Sequence, residues 1–498
     1  MTIYLSILLW LPLASVALGL LLPARASRFV ALAGALLTLA YAIVVLARFD
    51  SGASGLQFVT NELWIRELGI HYKLGVDGLN LFLILLAALI FLACIAWAAL
   101  RDWPRPRLFF LWFGLAESAV LGALMAQDLA LFVIFFDLML VPFLFLAGGW
   151  GGPNRIPGII KLFIYTLVGS LLMLAAAIAT GVLAPGAGLD FQLSTLARTR
   201  LGHGTQDWVF LFFAAAFLVK MPAFPLHGWM PDGYKAMPLP VLAAFSAVLS
   251  KVAAYGFLRV VLPLFPDASA HFQDLMLLIS LASILYGSAM AFTTTDTRLI
   301  LGYSSVAQLG FITLGIFSLR DAGAQGAVIQ AVNHGLVVAP AFFILALLAA
   351  RAGGSEDLRD MGGLAFRAPV LATVFLVVAL ANLAMPGSSN FVGEFLILLG
   401  TFQSKVVIAI VAFTGVALAS VYTLRLFVRS MHKRVGPRAT SREMSLVDGL
   451  VLVPLAAVIV AFALYPQLAL SRGERSVNQS IAAAKAKAAS QPLRQAAR

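Results

Sequence analysis

Along most of its length the chain sets apolar runs against short polar connections, and the runs are about 20 residues long, the length a helix needs to cross a bilayer. Fourteen such runs are read, at roughly 3–22, 28–47, 76–100, 107–125, 127–147, 158–183, 207–226, 238–262, 271–292, 296–318, 324–350, 366–400, 404–430 and 447–468. The run 366–400 is too long for one straight span and is interrupted at Pro386-Gly387. The run 207–226 is interrupted at Pro222, within "KMPAFPLHGWMPD", Lys220 to Asp232. Proline lacks a backbone donor and clashes with the preceding turn, so Pro222 and Pro225 predict a helix break beside Lys220. Non-helical backbone at membrane depth persists only where protein buries it or where it lines a hydrated cavity. An ionisable side chain there costs about 2.5–3.5 kcal/mol on insertion scales. The stretch therefore reads as part of an ion pathway; the competing reading is a proline-kinked helix whose Lys220 snorkels to the surface.

Spans four to eight and nine to thirteen form two sets of five, each with its interruption in its fourth helix. An odd number of spans makes the second set enter from the opposite side, so the pair reads as an inverted repeat, and paired broken helices point to a transport site. Chance placement of two prolines is the alternative, since proline is common in membrane helices. The expected fold is an all-α integral membrane protein of about 14 transmembrane helices with two inverted five-helix repeats (helices 4–8 and 9–13), each with a broken helix. Residues 1–106 then form an N-terminal three-helix region, 107–262 repeat one, 263–430 repeat two, and 431–498 a final span and basic tail.

Composition agrees. Of 498 residues, 61% are hydrophobic and 11% charged, against about 25% charged in soluble proteins. The net charge of +12 does not point to nucleic acid, because the cations sit mainly in short loops and the tail, as bilayer orientation requires. Connections from odd to even spans hold most of them (Arg25, Arg101, Arg155, Lys235, Arg351, Lys433 and Arg438 among others), roughly seventeen to seven. Both termini are expected to face away from the cytoplasm, although the basic tail, Arg472 to Arg498, argues the other way. That tail reads as a surface helix or a disordered segment. The first run lacks a basic n-region and a convincing cleavage site, so it is expected to be retained. The single cysteine, Cys94, excludes a disulfide framework and Cys-ligated clusters built from this chain alone. No G-x-G-x-x-G or Walker A sequence occurs. Redox chemistry, if any, must belong to partners.

Four ionisable residues inside the runs stand out: Asp137, Lys220, Lys251 and Glu394, in the order acid, base, base, acid. Removal from water disfavours the charged form of a buried lysine or carboxyl group, which lets each load and release a proton, and an opposite charge nearby favours it. Lys220 is the natural partner for Asp137. His227, after the first break, and His334, in "QAVNHGLVV", suit proton relay because a neutral imidazole accepts on one nitrogen and donates from the other; for His334 a structural role stays open, and nothing beyond these histidines supports haem. Glu117 either joins the network or pairs locally. Asp232 suits a cap on the next helix more than proton transfer, and Asp77 and Asp128 sit at helix starts, where carboxylates favour the positive dipole end. Lys161 can snorkel, and Arg425, which does not deprotonate, is a fixed charge.

The stretches "KLGVDGLNLFLILL", "FFDLMLVPFLFL", "KMPAFPLHGWMPD", "SKVAAYGFLRV", "GYSSVAQLGF" and "ANLAMPGSSNFVGEF" resemble the chain M (chain 4) family of proton-pumping NADH-quinone oxidoreductase, respiratory complex I, over about residues 70–430. Chains L and N of that complex, cation/proton antiporter subunits and membrane-bound hydrogenase subunits are similar, and antiporter or hydrogenase membership is the alternative. The resemblance implies that Lys220 carries protons on the seventh helix, that Lys251 is the central relay on the eighth, and that Glu394 is the exit residue on the twelfth. It implies no cofactor in this chain, with NAD, FMN, iron–sulfur clusters and quinone in partner subunits. It further implies chains L and N as neighbours, the lipid bilayer as surroundings, no nucleic acid, and a bacterial inner membrane as location. There are two departures: Asp137 stands where the family has glutamate, and Gln308 where it often has histidine. A glutamine can order water but carries no net proton at neutral pH.

Overall fold

The structure, a computed structural model, describes residues 3–53, 55–186, 188–437, 439–440 and 442–496. Arg438, counted above among the loop cations, and Arg498 at the end of the tail lie outside them. Among the described residues, eleven helices are long and apolar enough to cross a membrane. Two shorter apolar helices, Leu5–Leu21 and Pro369–Asn382, accompany them. Leu239–Leu264, Thr297–Phe317 and Asp321–Arg351 are buried almost throughout and form the middle of the bundle. Ala24–Arg48, Arg155–Leu183 and Val406–Met431 expose much of their apolar surface at its edge. Without water to solvate the backbone, helices satisfy their own N–H and C=O groups, so apolar surface can be left facing lipid.

The interruptions fall where proline puts them. The seventh run is helical only over His203–Lys220, not to 226 as expected; turns follow through Trp229, and then the short helix Met230–Ala236. The run 366–400 separates into Pro369–Asn382 and Ser389–Ser404, with Ala384 and Gly387 at φ 53° and 90° in the link. A third break was not foreseen. The fifth run divides at Met139 into Leu129–Leu138 and Leu140–Trp150, because Pro142 has no N–H for the Leu138 carbonyl one turn back.

Two further departures correct the all-α expectation. Residues 57–76 form an antiparallel hairpin, Gln57–Ile65 against Ile70–Val76, turned through Arg66–Leu68 and Gly69 at φ 62°. Its β-branched and aromatic residues suit a pleated surface. Within Leu239–Leu264, two π-helical segments, Phe245–Leu249 and Phe257–Val261, flank Ser250–Gly256, which holds Lys251. The tail is a surface helix, Gln467–Ala496. It packs Val477, Ile481 and Ala484 inward and pairs Lys485 with Asp321 and Lys487 with Asp267, each at 2.6 Å.

Candidate functional site: a row of buried ionisable groups

Lys220 ends its helix because Pro222 cannot continue it, and the Val219 carbonyl freed there accepts from Trp229 Nε1 at 2.9 Å. The lysine is 4% exposed, so it does not snorkel. Its Nζ donates to the Phe136 carbonyl at 3.1 Å and lies 4.5 Å from the centre of the Phe136 ring. That carbonyl belongs to the last turn of Leu129–Leu138, where carbonyls lack helical partners. Asp137, the next residue, instead accepts from Ser170 Oγ at 2.6 Å. The two charges sense each other without direct contact.

Lys251 is 1% exposed. Its Nζ donates to the Ser246 carbonyl at 2.7 Å and to Ser250 Oγ at 3.2 Å. Ser246 lies in the first π-helical segment, whose altered ladder turns a main-chain acceptor towards the ammonium. Tyr234 Oη donates to Ser246 Oγ at 3.1 Å. His334 is fully buried, lies within electrostatic range of Lys251, and has no protein partner for either ring nitrogen.

Glu394 sits two turns into Ser389–Ser404 and is 2% exposed. Its Oε1 accepts from Gln308 Nε2 at 2.7 Å and Gln330 Nε2 at 3.4 Å, and Gln330 also donates to Gln308 Oε1 at 2.7 Å. Oε2 has no protein partner, nor do the buried Asn333 Oδ1, Ser389 Oγ or either amide atom of Asn390. So many orphaned polar atoms around one carboxyl group are characteristic of a hydrated pocket. His227 stacks among Phe224, Tyr286 and Tyr303, with Nδ1 unpartnered. Glu117 is fully buried beside Cys94 and neither oxygen has a protein partner, so local pairing does not account for it.

The remaining charges serve the fold. Asp128 caps its helix by accepting from Ala130 and Leu131, and pins the hairpin through His71 N at 3.1 Å. Asp232 does not cap the following helix: it lies inside Met230–Ala236 and binds Lys161 Nζ at 2.7 Å, so Lys161 is paired as well. Arg425 donates to the Phe292 and Thr294 carbonyls at the end of Gln273–Thr293. Asp77 accepts from Leu79 N as expected of a helix start, but it also binds Arg259 Nη2 at 2.6 Å. Arg259 and Gln330 were missed, although Arg259 stands in a mainly apolar stretch, "YGFLRVV", where its charge was a signal, and Gln330 stands one helical turn before His334 in "AVIQAVNHG". Among the described residues no group of three His, Cys, Asp or Glu side chains is placed to hold a metal.

Residues 126–419 match the family described as NADH:quinone oxidoreductase/Mrp antiporter, TM. A protein named NADH-quinone oxidoreductase subunit M from Rhodobacter capsulatus is 35% identical over 93% of this chain and 93% of its own length. One of the same name from Mycobacterium tuberculosis (strain ATCC 25618 / H37Rv) is 35% identical over 93% and 91%. The chain belongs to the NADH-quinone oxidoreductase subunit M family. The subunit M fold is seen in a chain of respiratory complex I from Thermus thermophilus with bound NADH, at TM-score 0.88 and 29% identity over 97% of this chain and 99% of that one. A chain of the Mrp complex from Dietzia sp. DQ12-45-1b shares the fold, at TM-score 0.84 and 20% identity over 97% and 98%. Of the ionisable groups described above in this subunit M family member, Asp137, Lys220, Lys251, His334 and Glu394 fall within the matched residues and Glu117 outside them.

Proposed function

We propose that this chain is a proton-translocating membrane subunit of NADH:quinone oxidoreductase, in which electron transfer from NADH to quinone in partner subunits drives protons along Asp137, Lys220, Lys251, His334 and Glu394, with His227, Gln308 and Glu117 as secondary members. The observation that carries it is the placing of Lys220 and Glu394, each buried beside a helix break and each held by a polar group from a neighbouring helix. A charge change at Asp137 alters the stability of the Lys220 ammonium; one pKa unit is about 1.4 kcal/mol, so a change of several units suffices to send a proton on towards Lys251. Glu394 then releases it. Lys251 holds its ammonium against main-chain and hydroxyl oxygens and passes the proton to His334, which lies within its electrostatic range.

In this reading the broken helices are the fourth members of two inverted five-helix repeats, 107–262 and 263–430, within fourteen crossings of the membrane. The neighbours are chains L and N, the location is a bacterial inner membrane, and NAD, FMN, iron–sulfur clusters and quinone reside in other subunits. Membership of the subunit M family supports it. In the assembled complex in vesicles, Lys220→Ala is expected to abolish nearly all coupled proton uptake and to lower quinone reduction. Unchanged proton uptake would instead favour a scaffold that only spaces neighbouring pumps.

A further inference from the structure

Arg259 takes no part in the row described above, yet it stands on the same helix as Lys251 and is mostly buried. Lys251, Tyr255 and Arg259 follow one another at four-residue spacing, which puts neighbouring members on one helical face. Arg259 Nε donates to Tyr255 Oη at 3.0 Å, on the side towards Lys251. Its Nη2 binds Asp77 Oδ1 at 2.6 Å, on the turn before Leu81–Ala99. Beyond this pair opens a cavity of about 330 Å³. Lys73 of the hairpin, Gln127, Ser194 and Gln479 of the tail helix line it together with Asp77 and Arg259. Between Tyr255 and the row of ionisable groups the packing is aromatic, with Phe132 6.5 Å from the tyrosine ring and itself against Phe136 and Phe217.

A water-accessible vestibule thus reaches to within two helical turns of a proton-carrying lysine, and a guanidinium stands between them. Such an arginine excludes protons and cations from a pore by its fixed charge, and it keeps that charge because it does not deprotonate in proteins. The loop-cation bias assigns the hairpin end to the non-cytoplasmic side, where a pump delivers its protons. We infer that Arg259 is an electrostatic barrier that stops protons returning from this vestibule to Lys251, with the Asp77 carboxylate offsetting part of its charge. This rests on the proton-pumping reading, but its test does not require pumping.

The test is passive proton entry into vesicles holding the assembled complex, under an imposed pH gradient and without NADH or quinone. Lys251 and Arg259 are eight residues apart, about 12 Å along a helix. At that distance and an effective dielectric near 20, one fixed charge changes proton occupancy roughly tenfold. Arg259→Gln removes the cation and leaves the carboxylate, so passive entry is expected to rise roughly tenfold. Asp77→Asn breaks the same ion pair but leaves the cation without its counter-charge, so entry is expected not to rise above that of the unaltered protein. Arg259→Lys keeps the charge and is expected to restore the barrier. Should Arg259→Gln fail to assemble, Arg259→Met removes the same single charge with a similar stem and carries the same expected rise. Equal leakage in Asp77→Asn and Arg259→Gln would make the pair merely structural, and unchanged leakage in Arg259→Gln or in Arg259→Met would overturn the barrier. Loss of pumping in Lys220→Ala tests the proton-pumping reading separately, with no change in passive entry.

Discussion

The charged residues of the row were legible because each interrupts an apolar run at a cost that only function or pairing offsets. Lys220, Lys251 and Glu394 are as buried as that reasoning requires. What sequence did not disclose is how each is held. Lys220 rests on a main-chain carbonyl beside its expected partner. Glu394 rests on two neutral amides, and Gln330 was overlooked because an amide carries no charge to betray its burial. The Gln308 contact is a hydrogen bond to an ionisable group, a class worth about 1.5–3 kcal/mol. Gln308→Leu is therefore expected to cut the proton-pumping rate at least roughly tenfold while the complex still assembles. Gln308→His, which returns a donor and adds a titratable group, should retain pumping. Proton uptake per quinone reduced in vesicles distinguishes the two, and a fully active Gln308→Leu would show that Gln308 takes no part in proton transfer.

At the scale of elements, proline made the breaks at 222 and 386 readable, while Pro142 was passed over because the apolar run continues straight across it. The π-helical segments leave no mark in composition, since they change the hydrogen-bond ladder and not the residue types. The hairpin was hidden for a different reason: it lies in a connection, and its alternation is short. The tail helix is held by apolar packing more than by its ion pairs. Burying an isoleucine contributes about 1.5–3 kcal/mol, whereas an exposed pair contributes about 0.2–1 kcal/mol. Ile481 is fully buried, while Lys485 and Lys487 are partly exposed. Ile481→Asp is expected to release the tail to added protease, and Lys485→Ala with Lys487→Ala to leave it largely protected; the reverse order would show that charge holds it. The loop after Asp321–Arg351 has its own acid limit. Hydrogen bonds from Arg359 hold the Asp357 carboxyl down at about 2, from its ordinary 3.8, and it also accepts from Thr295 Oγ1. A depressed carboxyl contributes stability that is complete above its unfolded value and lost as pH falls through its folded one. Hydrogen exchange in residues 355–360 should be insensitive to Asp357→Asn only at pH below about 2, and at pH 5–8 the variant should exchange faster.

The molecule as a whole joins two polar centres through its middle helices. Lys220 with Phe136 and Asp137 marks one, Glu394 with Gln308 and Gln330 the other, and Lys251 and His334 lie on the two buried helices between. Along one face the tail helix ties Asp267, after the eighth run, to Asp321, at the start of the eleventh. The most direct test is infrared difference spectroscopy of the assembled complex between rest and turnover, with the Glu394 carboxyl band assigned through Glu394→Gln. Proton transfer along the row predicts that this band changes on turnover and that Lys220→Ala abolishes the change. A band that stays constant during active pumping, or that responds equally without the Lys220 amine, would contradict it.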